Sequence, residues 1–222
     1  MSVALGTPDV AKLYTATKTA ETAKEVDSTD NLKDDRIYLF SGQDDTVVDP
    51  KVMQALQTYY QYFVEVNNIV SDFAVPAEHC LPTLDYGEVC NRKSSPYIGK
   101  CNFDGAGIAL TTLYGDLKTG TAIAANLIEF DQTPFFSGSG TSISSVGYAY
   151  IPTACQNGAS CHLHINFHGC EQNLETIGNQ YAADTGFNGY AEANNIIVVL
   201  LFSRRLSLLI SSILVILFTK AS

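Results

Sequence analysis

The stretch HLHINFHGC, residues 162–170, decides the fold class. Its first part has the apolar and β-branched residues of a buried strand, and His168-Gly169 ends it with a turn. Residues 173–195 then have a mostly helical pattern, and IIVVLLF, 196–202, is a continuous apolar run. Such a run is typical of a central parallel strand that is buried on both faces. The succession of strand, helix and buried strand predicts an α/β domain with a mostly parallel sheet and flanking helices.

The same alternation is found upstream of this stretch. DRIYLF, 35–40, and NNIVSDFAV, 67–75, are predicted strands, and the apolar residues of 51–66 have helical spacing between them. Residues 106–115 are predicted to form another helix, whereas 86–105 have the composition of a loop.

The composition excludes some classes of protein. The chain has 222 residues and a formal net charge of −10, which argues against a nucleic-acid partner because phosphate contacts need clustered Lys and Arg. Hydrophobic residues make up 46% and charged residues 16%, enough apolar surface for a sizeable core. The first residues, MSVALGTPDVAK, have neither the basic region nor the apolar stretch of a signal peptide.

Six cysteines indicate an oxidising compartment, because they lie on loops and form no Cys-x-x-Cys pair. Cys90 and Cys101 bracket one loop, and Cys155 and Cys161 bracket a second, turn-like insert. The spacing suggests that a disulfide could close the second loop, but it leaves the pairing of all six open.

Residues 201–222 are predicted to be a tail of a different kind from the domain at 1–200. Arg204 and Arg205 precede the apolar stretch 206–218, which is shorter than the roughly 20 residues that span a bilayer as a helix. The sequence therefore favours a non-native end over a membrane anchor.

Three loops that follow predicted strands carry residues suited to acyl transfer. Asp44 and Asp45 follow the first strand, His79 follows the second, and His168-Gly169-Cys170 ends the strand of the opening stretch. In open α/β sheets reactive groups lie beyond the carboxyl ends of the strands. A carboxylate can orient an imidazole, the imidazole can take a proton from a nucleophile, and a main-chain N–H can hold an oxyanion.

The order of these candidates along the chain is unusual. An α/β hydrolase normally presents the oxyanion loop first, then the serine, the carboxylate and the histidine. Here Asp45 and His79 precede the oxyanion candidate. This order predicts a circularly permuted sheet.

Several long motifs in the same order resemble the extracellular poly(3-hydroxybutyrate) depolymerases, most closely the fungal-type, single-domain, circularly permuted members. The motifs span roughly residues 30–200 and are RIYLFSGQDDTVVDP, AEHCLPTLDYG, SPYIGKCNFDGAG, FDQTPFF, GYAYIPTACQNGASCHLHINFHGCEQNLETIGNQYA and GFNGYAEANNIIVVL. The resemblance implies a secreted serine hydrolase that cleaves a polyester or small ester without a metal or organic cofactor.

The resemblance also implies roles for three residues. Asp45 matches the triad aspartate, His79 the triad histidine, and Cys170 the oxyanion-hole residue, which acts through its backbone N–H. Asp44 falls where the family tolerates other residues.

Two departures from the family pattern change the expected activity. The family nucleophile lies in a Gly-x-Ser-x-Gly turn upstream of the aspartate. No serine of this chain has a glycine both two positions before it and two positions after it; Ser41, Ser139 and Ser145 each lack at least one of these glycines. The Tyr-Pro segment that follows the last strand in the family is replaced by 201–205. We therefore expect an incomplete α/β hydrolase that is inactive alone.

The sequence is also compatible with two functions other than ester hydrolysis. Without a nucleophile, the chain could be a non-catalytic fragment that binds a polyester or another hydrophobic surface, with a membrane anchor in 206–218 as an option. Alternatively, His162, His164 and His168 share one face of a strand and could bind zinc together with flanking cysteines. Against zinc, positions four residues apart on a straight strand are about 13 Å from each other. We therefore predict no metal site.

Overall fold

The structure, a computed structural model, describes residues 6–137 and 142–204. Its strands are β1 Ile37–Phe40, β2 Ile69–Asp72, β3 Leu81–Thr83, β4 Glu88–Val89, β5 Ile98–Lys100, β6 Leu127–Asp131, β7 Val146–Tyr150, β8 His162–Phe167 and β9 Ile196–Leu201. Its helices are α1 Val10–Thr22, α2 Pro50–Tyr60, α3 Gly105–Tyr114, α4 Thr153–Gln156, α5 Leu174–Ile177, α6 Gln180–Asp184 and α7 Phe187–Asn194.

The largest sheet has four strands in the order β6-β7-β9-β8. β8 and β9 are parallel, whereas β7 is antiparallel to both β6 and β9. In β9, Ile196, Val198 and Leu200 are buried in the core, while the alternate residues are partly exposed. The apolar run 196–202 thus forms an interior strand, as predicted, but only one of its faces is fully covered.

A separate parallel pair, β1 and β2, forms the second sheet. β1 is apolar on both faces: Tyr38 belongs to the main core, and Ile37 and Leu39 pack in a smaller core against α2. α2 begins where the Asp49 carboxylate accepts the Lys51 N–H and Pro50 occupies the first turn, a position where proline needs no hydrogen-bond donor.

The segment 86–105, predicted as a loop, instead forms most of a third sheet. The short parallel strands β3, β5 and β4 pair in that order, and the Cys90–Cys101 disulfide closes this segment. Strands of two or three residues are too short to leave a periodic pattern, which explains the wrong prediction. The second disulfide joins Cys155 and Cys161.

The last described residues remain part of the domain. Leu201 ends β9, Phe202 is 2% exposed, and the Arg204 N–H donates to the Ser142 carbonyl. The domain boundary predicted at residue 200 therefore falls inside a strand. The predicted apolar tail 206–218 lies outside the described residues. Across 6–137 and 142–204, no helix has the length and apolar character needed to cross a membrane.

One helical layer connects the four-stranded sheet with the β1–β2 pair. α3 packs on β1, α7 packs on β9, and the two helices pack on each other. Tyr38 of β1 and Val198 and Leu200 of β9 accordingly share a single core. The predicted α/β class, with mostly parallel strands and flanking helices, is confirmed.

Candidate active site

The structure brings together two of the predicted site residues, Asp45 and His79. Because β1 and β2 are adjacent and parallel, the loops after them meet at the same edge of the sheet. There Asp45 Oδ2 lies 2.8 Å from His79 Nδ1, and the two side chains are 8% and 12% exposed, respectively. This distance is that of a strong hydrogen bond between an imidazole N–H and a carboxylate.

The Asp45 carboxylate is held by its own loop. Its Oδ1 atom accepts the backbone N–H groups of Val47 and Val48, at 2.8 and 2.9 Å. Aspartate often closes a turn in this way. Since one oxygen is fixed by two amides, the other is oriented toward His79.

The structure distinguishes Asp45 from its neighbour Asp44. The Asp44 backbone N–H donates to the Ala77 carbonyl at 3.1 Å, which ties the two loops together. Gly42 makes this approach possible, because a Cβ atom at that position would stand 2.2 Å from the Ala77 oxygen and 2.9 Å from the Glu78 oxygen. Only glycine leaves room for the two backbones.

Glu78 is a contributor to the site that the sequence analysis missed. Its carboxylate accepts the His79 N–H at 2.8 Å and the Thr46 N–H at 3.2 Å, and it also accepts the Thr46 hydroxyl. Burial alone would raise the pKa of Glu78, but these hydrogen bonds from Thr46 and His79 lower it below its ordinary value. Glu78 therefore bridges the two loops as a carboxylate. No sequence motif predicts this role.

The loop of Cys170 is connected to this edge through Gln172, which is 1% exposed. Gln172 Oε1 accepts the Gly169 N–H at 2.9 Å, and its Nε2 atom donates to the Tyr97 carbonyl at 3.0 Å. The same carbonyl accepts the N–H of Leu81, two residues after His79. The turn after β8 and the loop after β2 are thus joined at one edge of the molecule. Cys170 itself is exposed.

Comparison with known proteins identifies the family. The chain is 43% identical over 192 residues, 84% of its length, to the poly(3-hydroxybutyrate) depolymerase of Delftia acidovorans. It is 35% identical over 192 residues, 83% of its length, to the polyhydroxybutyrate depolymerase of Talaromyces funiculosus. The chain belongs to the polyhydroxybutyrate depolymerase family. The matched residues make up 38% and 56% of the two relatives, so the chain spans between about two fifths and just over half of their length.

Solved depolymerase structures agree with this assignment. The crystal structure of PHB depolymerase from Penicillium funiculosum matches with a TM-score of 0.81 and 31% identity, over 89% of this chain and 63% of that one. A PHB depolymerase complexed with an R3HB trimer matches with a TM-score of 0.81 and 32% identity, over the same shares. No family model matches the chain. The predicted depolymerase resemblance and α/β-hydrolase class are confirmed.

Beside the Asp45–His79 pair of this depolymerase-family chain lies an apolar cavity. Its walls comprise Tyr38, Phe40, Ser41, Gly42, Asp45, Val48, Met53, His79, Cys80, Leu81, Pro82, Gly105, Ala109 and Phe187. The Ser41 side chain is buried and donates to the Gly42 carbonyl at 3.4 Å. Within residues 6–137 and 142–204, no serine or threonine hydroxyl is hydrogen-bonded to the His79 imidazole.

The Cys80 thiol, which also lines the cavity, is not suited to replace a serine. Burial raises its pKa to about 12, and the negative charges of Asp45 and Glu78 act in the same direction. A thiol with that pKa carries almost no thiolate at neutral pH, and the thiolate is the nucleophilic form.

The three histidines considered for zinc do not form one site. His164 is fully buried, with its ring stacked on Phe187 and its Nδ1 atom 3.2 Å from the Tyr114 hydroxyl. His168 Nε2 instead accepts the Ser203 N–H at 3.0 Å. In the part of the chain that the structure describes, no three His, Cys, Asp or Glu side chains are grouped to hold a metal ion.

Burial of His164 makes stability depend on pH. Its surroundings lower its pKa from 6.5 to about 4, because burial disfavours the charged ring. The contribution of the neutral, buried His164 ring to the free energy of unfolding is therefore fully present above pH 6.5 and is lost as the pH falls toward 4. This contribution amounts to roughly 3 kcal/mol. We expect the free energy of unfolding in urea to fall less between pH 7 and pH 4.5 in His164→Gln than in the wild type. His162→Gln, on an exposed ring, should retain the wild-type difference, and an equal loss in all three proteins would contradict this assignment.

Proposed function

We propose that the chain supplies the acid–base part of a serine carboxylic-ester hydrolase of the polyhydroxybutyrate depolymerase type. The observation that carries the proposal is the 2.8 Å contact between Asp45 Oδ2 and His79 Nδ1 at the carboxyl ends of two parallel strands. The contact occupies Nδ1 of the ring and leaves Nε2 to act on a nucleophile.

In the proposed reaction a serine hydroxyl attacks the ester carbonyl of a hydroxyalkanoate polyester. His79 Nε2 takes the hydroxyl proton and later gives it to the departing alkoxide, while Asp45 orients the ring and stabilises its charged form. The Cys170 backbone N–H stabilises the oxyanion of the tetrahedral intermediate. Water then cleaves the acyl-enzyme, again with His79 as the base. No cofactor takes part in these steps.

Other features support the proposal. The names of the two relatives include the polyester polyhydroxybutyrate, and one matched structure is described as a complex with an R3HB trimer. Two disulfides, Cys90–Cys101 and Cys155–Cys161, suit an extracellular enzyme. The sequence has no Gly-x-Ser-x-Gly turn, so the proposal includes a serine that this chain does not provide.

The proposal is tested by assaying the purified chain with and without a serine. We call the part of the Talaromyces funiculosus relative that lies outside the 192 matched residues the serine segment, because the family resemblance implies a Gly-x-Ser-x-Gly turn there. We expect no p-nitrophenyl butyrate hydrolysis and no phenylmethylsulfonyl fluoride labelling of the chain alone, and turnover when the serine segment is co-expressed with it. Turnover by the chain alone, with a labelled serine, would show that the nucleophile is already present.

A second candidate function is non-catalytic binding of a polyester surface. The observation that favours it is a row of exposed apolar side chains on β8, Leu163, Ile165 and Phe167, which are 57%, 39% and 52% exposed. Large exposed apolar patches commonly mark interaction sites. Binding of the chain to polyhydroxybutyrate film that is reduced in Phe167→Ser, together with no turnover in the co-expressed sample, would favour this second function.

A further inference from the structure

The His168 side chain takes no part in the proposed reaction, although it lies two residues before the proposed oxyanion donor, Cys170. It follows the last residue of β8, and its ring stacks on Phe202, with the centroids 4.9 Å and the planes 24° apart. Tyr181 meets the same ring edge-on, at a centroid distance of 6.1 Å. These two aromatic contacts fix the plane of the imidazole.

The hydrogen bonds of the ring define its protonation state. Nδ1 lies 2.6 Å from the Gly169 carbonyl oxygen, which can only accept, so Nδ1 carries the proton. Nε2 lies 3.0 Å from the backbone nitrogen of Ser203, whose N–H can only donate, so Nε2 carries a lone pair. The Ser203 hydroxyl is farther from Nε2, at 3.3 Å. Burial lowers the pKa of His168 despite the hydrogen bond to Gly169, so the ring is neutral at pH 7.

The acceptor of the Nδ1 proton belongs to the peptide unit that carries the proposed oxyanion donor. The Gly169 carbonyl and the Cys170 N–H are the two ends of one planar unit, which we call the oxyanion peptide. Because the unit is planar, a contact that fixes its oxygen also fixes the direction of its N–H. A donor at the oxygen also polarises the unit, which makes its N–H a stronger donor.

Gln172 holds the same turn through other atoms. Its backbone N–H donates to the Gly169 oxygen at 3.0 Å, so that oxygen accepts two hydrogen bonds. Its side chain accepts the Gly169 N–H and donates to the Tyr97 carbonyl. Gln172 therefore fixes the path of the turn, and His168 adds the shorter of the two contacts to the oxyanion peptide.

We propose that His168 is a positioning residue whose Nδ1–H group sets the orientation of the oxyanion peptide, so that the Cys170 N–H is held in place for the acyl oxygen. The backbone N–H of Ser203 and the ring of Phe202 hold the imidazole in the tautomer and plane that this requires. The contact between His168 and Gly169 stands on geometry alone, whereas its part in catalysis rests on the proposed function.

Two amide side chains separate the two hydrogen bonds of the ring. The amide nitrogen of asparagine is as many bonds from Cα as Nδ1, and the amide oxygen of glutamine is as many bonds from Cα as Nε2. His168→Asn can thus keep the donor to Gly169, whereas His168→Gln keeps only an acceptor for the Ser203 N–H.

The co-expressed enzyme tests the effect on catalysis. We expect His168→Gln to lower kcat for p-nitrophenyl butyrate about 100-fold with KM within about threefold, because a misplaced oxyanion donor is felt in the transition state. His168→Asn should recover at least about tenfold of this loss, since it restores the donor. His162→Gln, on an exposed ring at the start of the same strand, is the matched control and should leave kcat unchanged.

Urea unfolding of the same variants separates positioning from packing. Asparagine is the smaller side chain and leaves the larger space beside Phe202, so His168→Asn should be the less stable variant and yet the more active one. A kcat that follows the free energy of unfolding would mean that the ring only packs, and it would overturn the proposal. Equal losses of kcat in the two variants would also overturn it.

Nitrogen-15 NMR of the chain alone tests the same contact without a nucleophile. We expect the wild-type His168 ring to carry its proton on Nδ1 at pH 7. The Cys170 amide nitrogen senses the hydrogen bond at the Gly169 oxygen, so its resonance should shift in His168→Gln and stay near the wild-type position in His168→Asn. A wild-type ring protonated on Nε2 would overturn the proposal even if neither variant folds.

The two measurements distinguish this proposal from the proposed function. The expected NMR results without turnover in the co-expressed sample would support the hold of His168 on the oxyanion peptide and reject the serine-hydrolase function. Turnover by the wild type together with a Cys170 resonance that is unchanged in His168→Gln would support the hydrolase and overturn the role of His168.

Discussion

We expect Asp45→Asn to lower kcat for p-nitrophenyl butyrate by about 10⁴-fold in the chain co-expressed with the serine segment. The asparagine would keep the hydrogen bonds to Val47 and Val48, because its amide oxygen can replace Oδ1. It would then present an NH₂ group to His79 Nδ1 in place of a carboxylate oxygen. The ring would adopt the wrong tautomer and could not accept a proton at Nε2, and that loss is worth about 10⁴ in serine hydrolases.

The adjacent residue provides a matched control. Asp44→Asn changes the same charge one position away, where only the backbone N–H bonds across to the second loop. We expect its kcat to stay within about threefold of the wild type, the scale of a surface electrostatic effect. Equal losses in the two variants would mean that the effect comes from net charge and would reject the assigned role of Asp45.

Gly42→Ala is the second change with a large expected effect. The new methyl group would stand 2.2 Å from the Ala77 oxygen and 2.7 Å from its carbonyl carbon. Both are backbone atoms, so the two loops must separate. We expect the free energy of unfolding to fall by about 3 kcal/mol, as in overpacked cores. A displacement of about 1 Å between Asp45 and His79 should also lower kcat about 100-fold in the co-expressed enzyme.

The glycine control is Gly6→Ala, since no atom lies within 4 Å of a methyl group at that position. Urea unfolding of the two variants and the wild type measures the difference. A Gly42→Ala chain as stable as Gly6→Ala would contradict the close approach of the loops after β1 and β2. The contact between Asp45 and His79 would then not depend on the absence of a side chain at Gly42.

The sequence allowed the Asp45–His79 pair to be predicted for a physical reason. Both residues follow short apolar strands, and parallel neighbouring strands bring their carboxyl ends together. The run 196–202 was similarly informative because a long apolar strand must be interior. These predictions depend on local patterns with a fixed geometric consequence.

Other parts of the site could not be predicted because long-range contacts define them. Glu78 acquires its role only when Thr46 of another loop donates to it, and Gln172 only when Tyr97 comes within reach. The short strands β3, β4 and β5 are stabilised by their mutual pairing and leave no periodic signal. The edge positions that β1 and β8 hold among the described residues are likewise a property of strand order.

The central claim is that Asp45 and His79 form an oriented acid–base pair, and it can be measured without a nucleophile. Nitrogen-15 NMR of the histidine rings at neutral pH reports which nitrogen carries the proton. We predict that His79 is protonated on Nδ1, with a slowly exchanging downfield proton that disappears in Asp45→Ala and persists in Asp44→Ala. A His79 ring protonated mainly on Nε2, or one whose spectrum is unchanged by Asp45→Ala, would contradict the account.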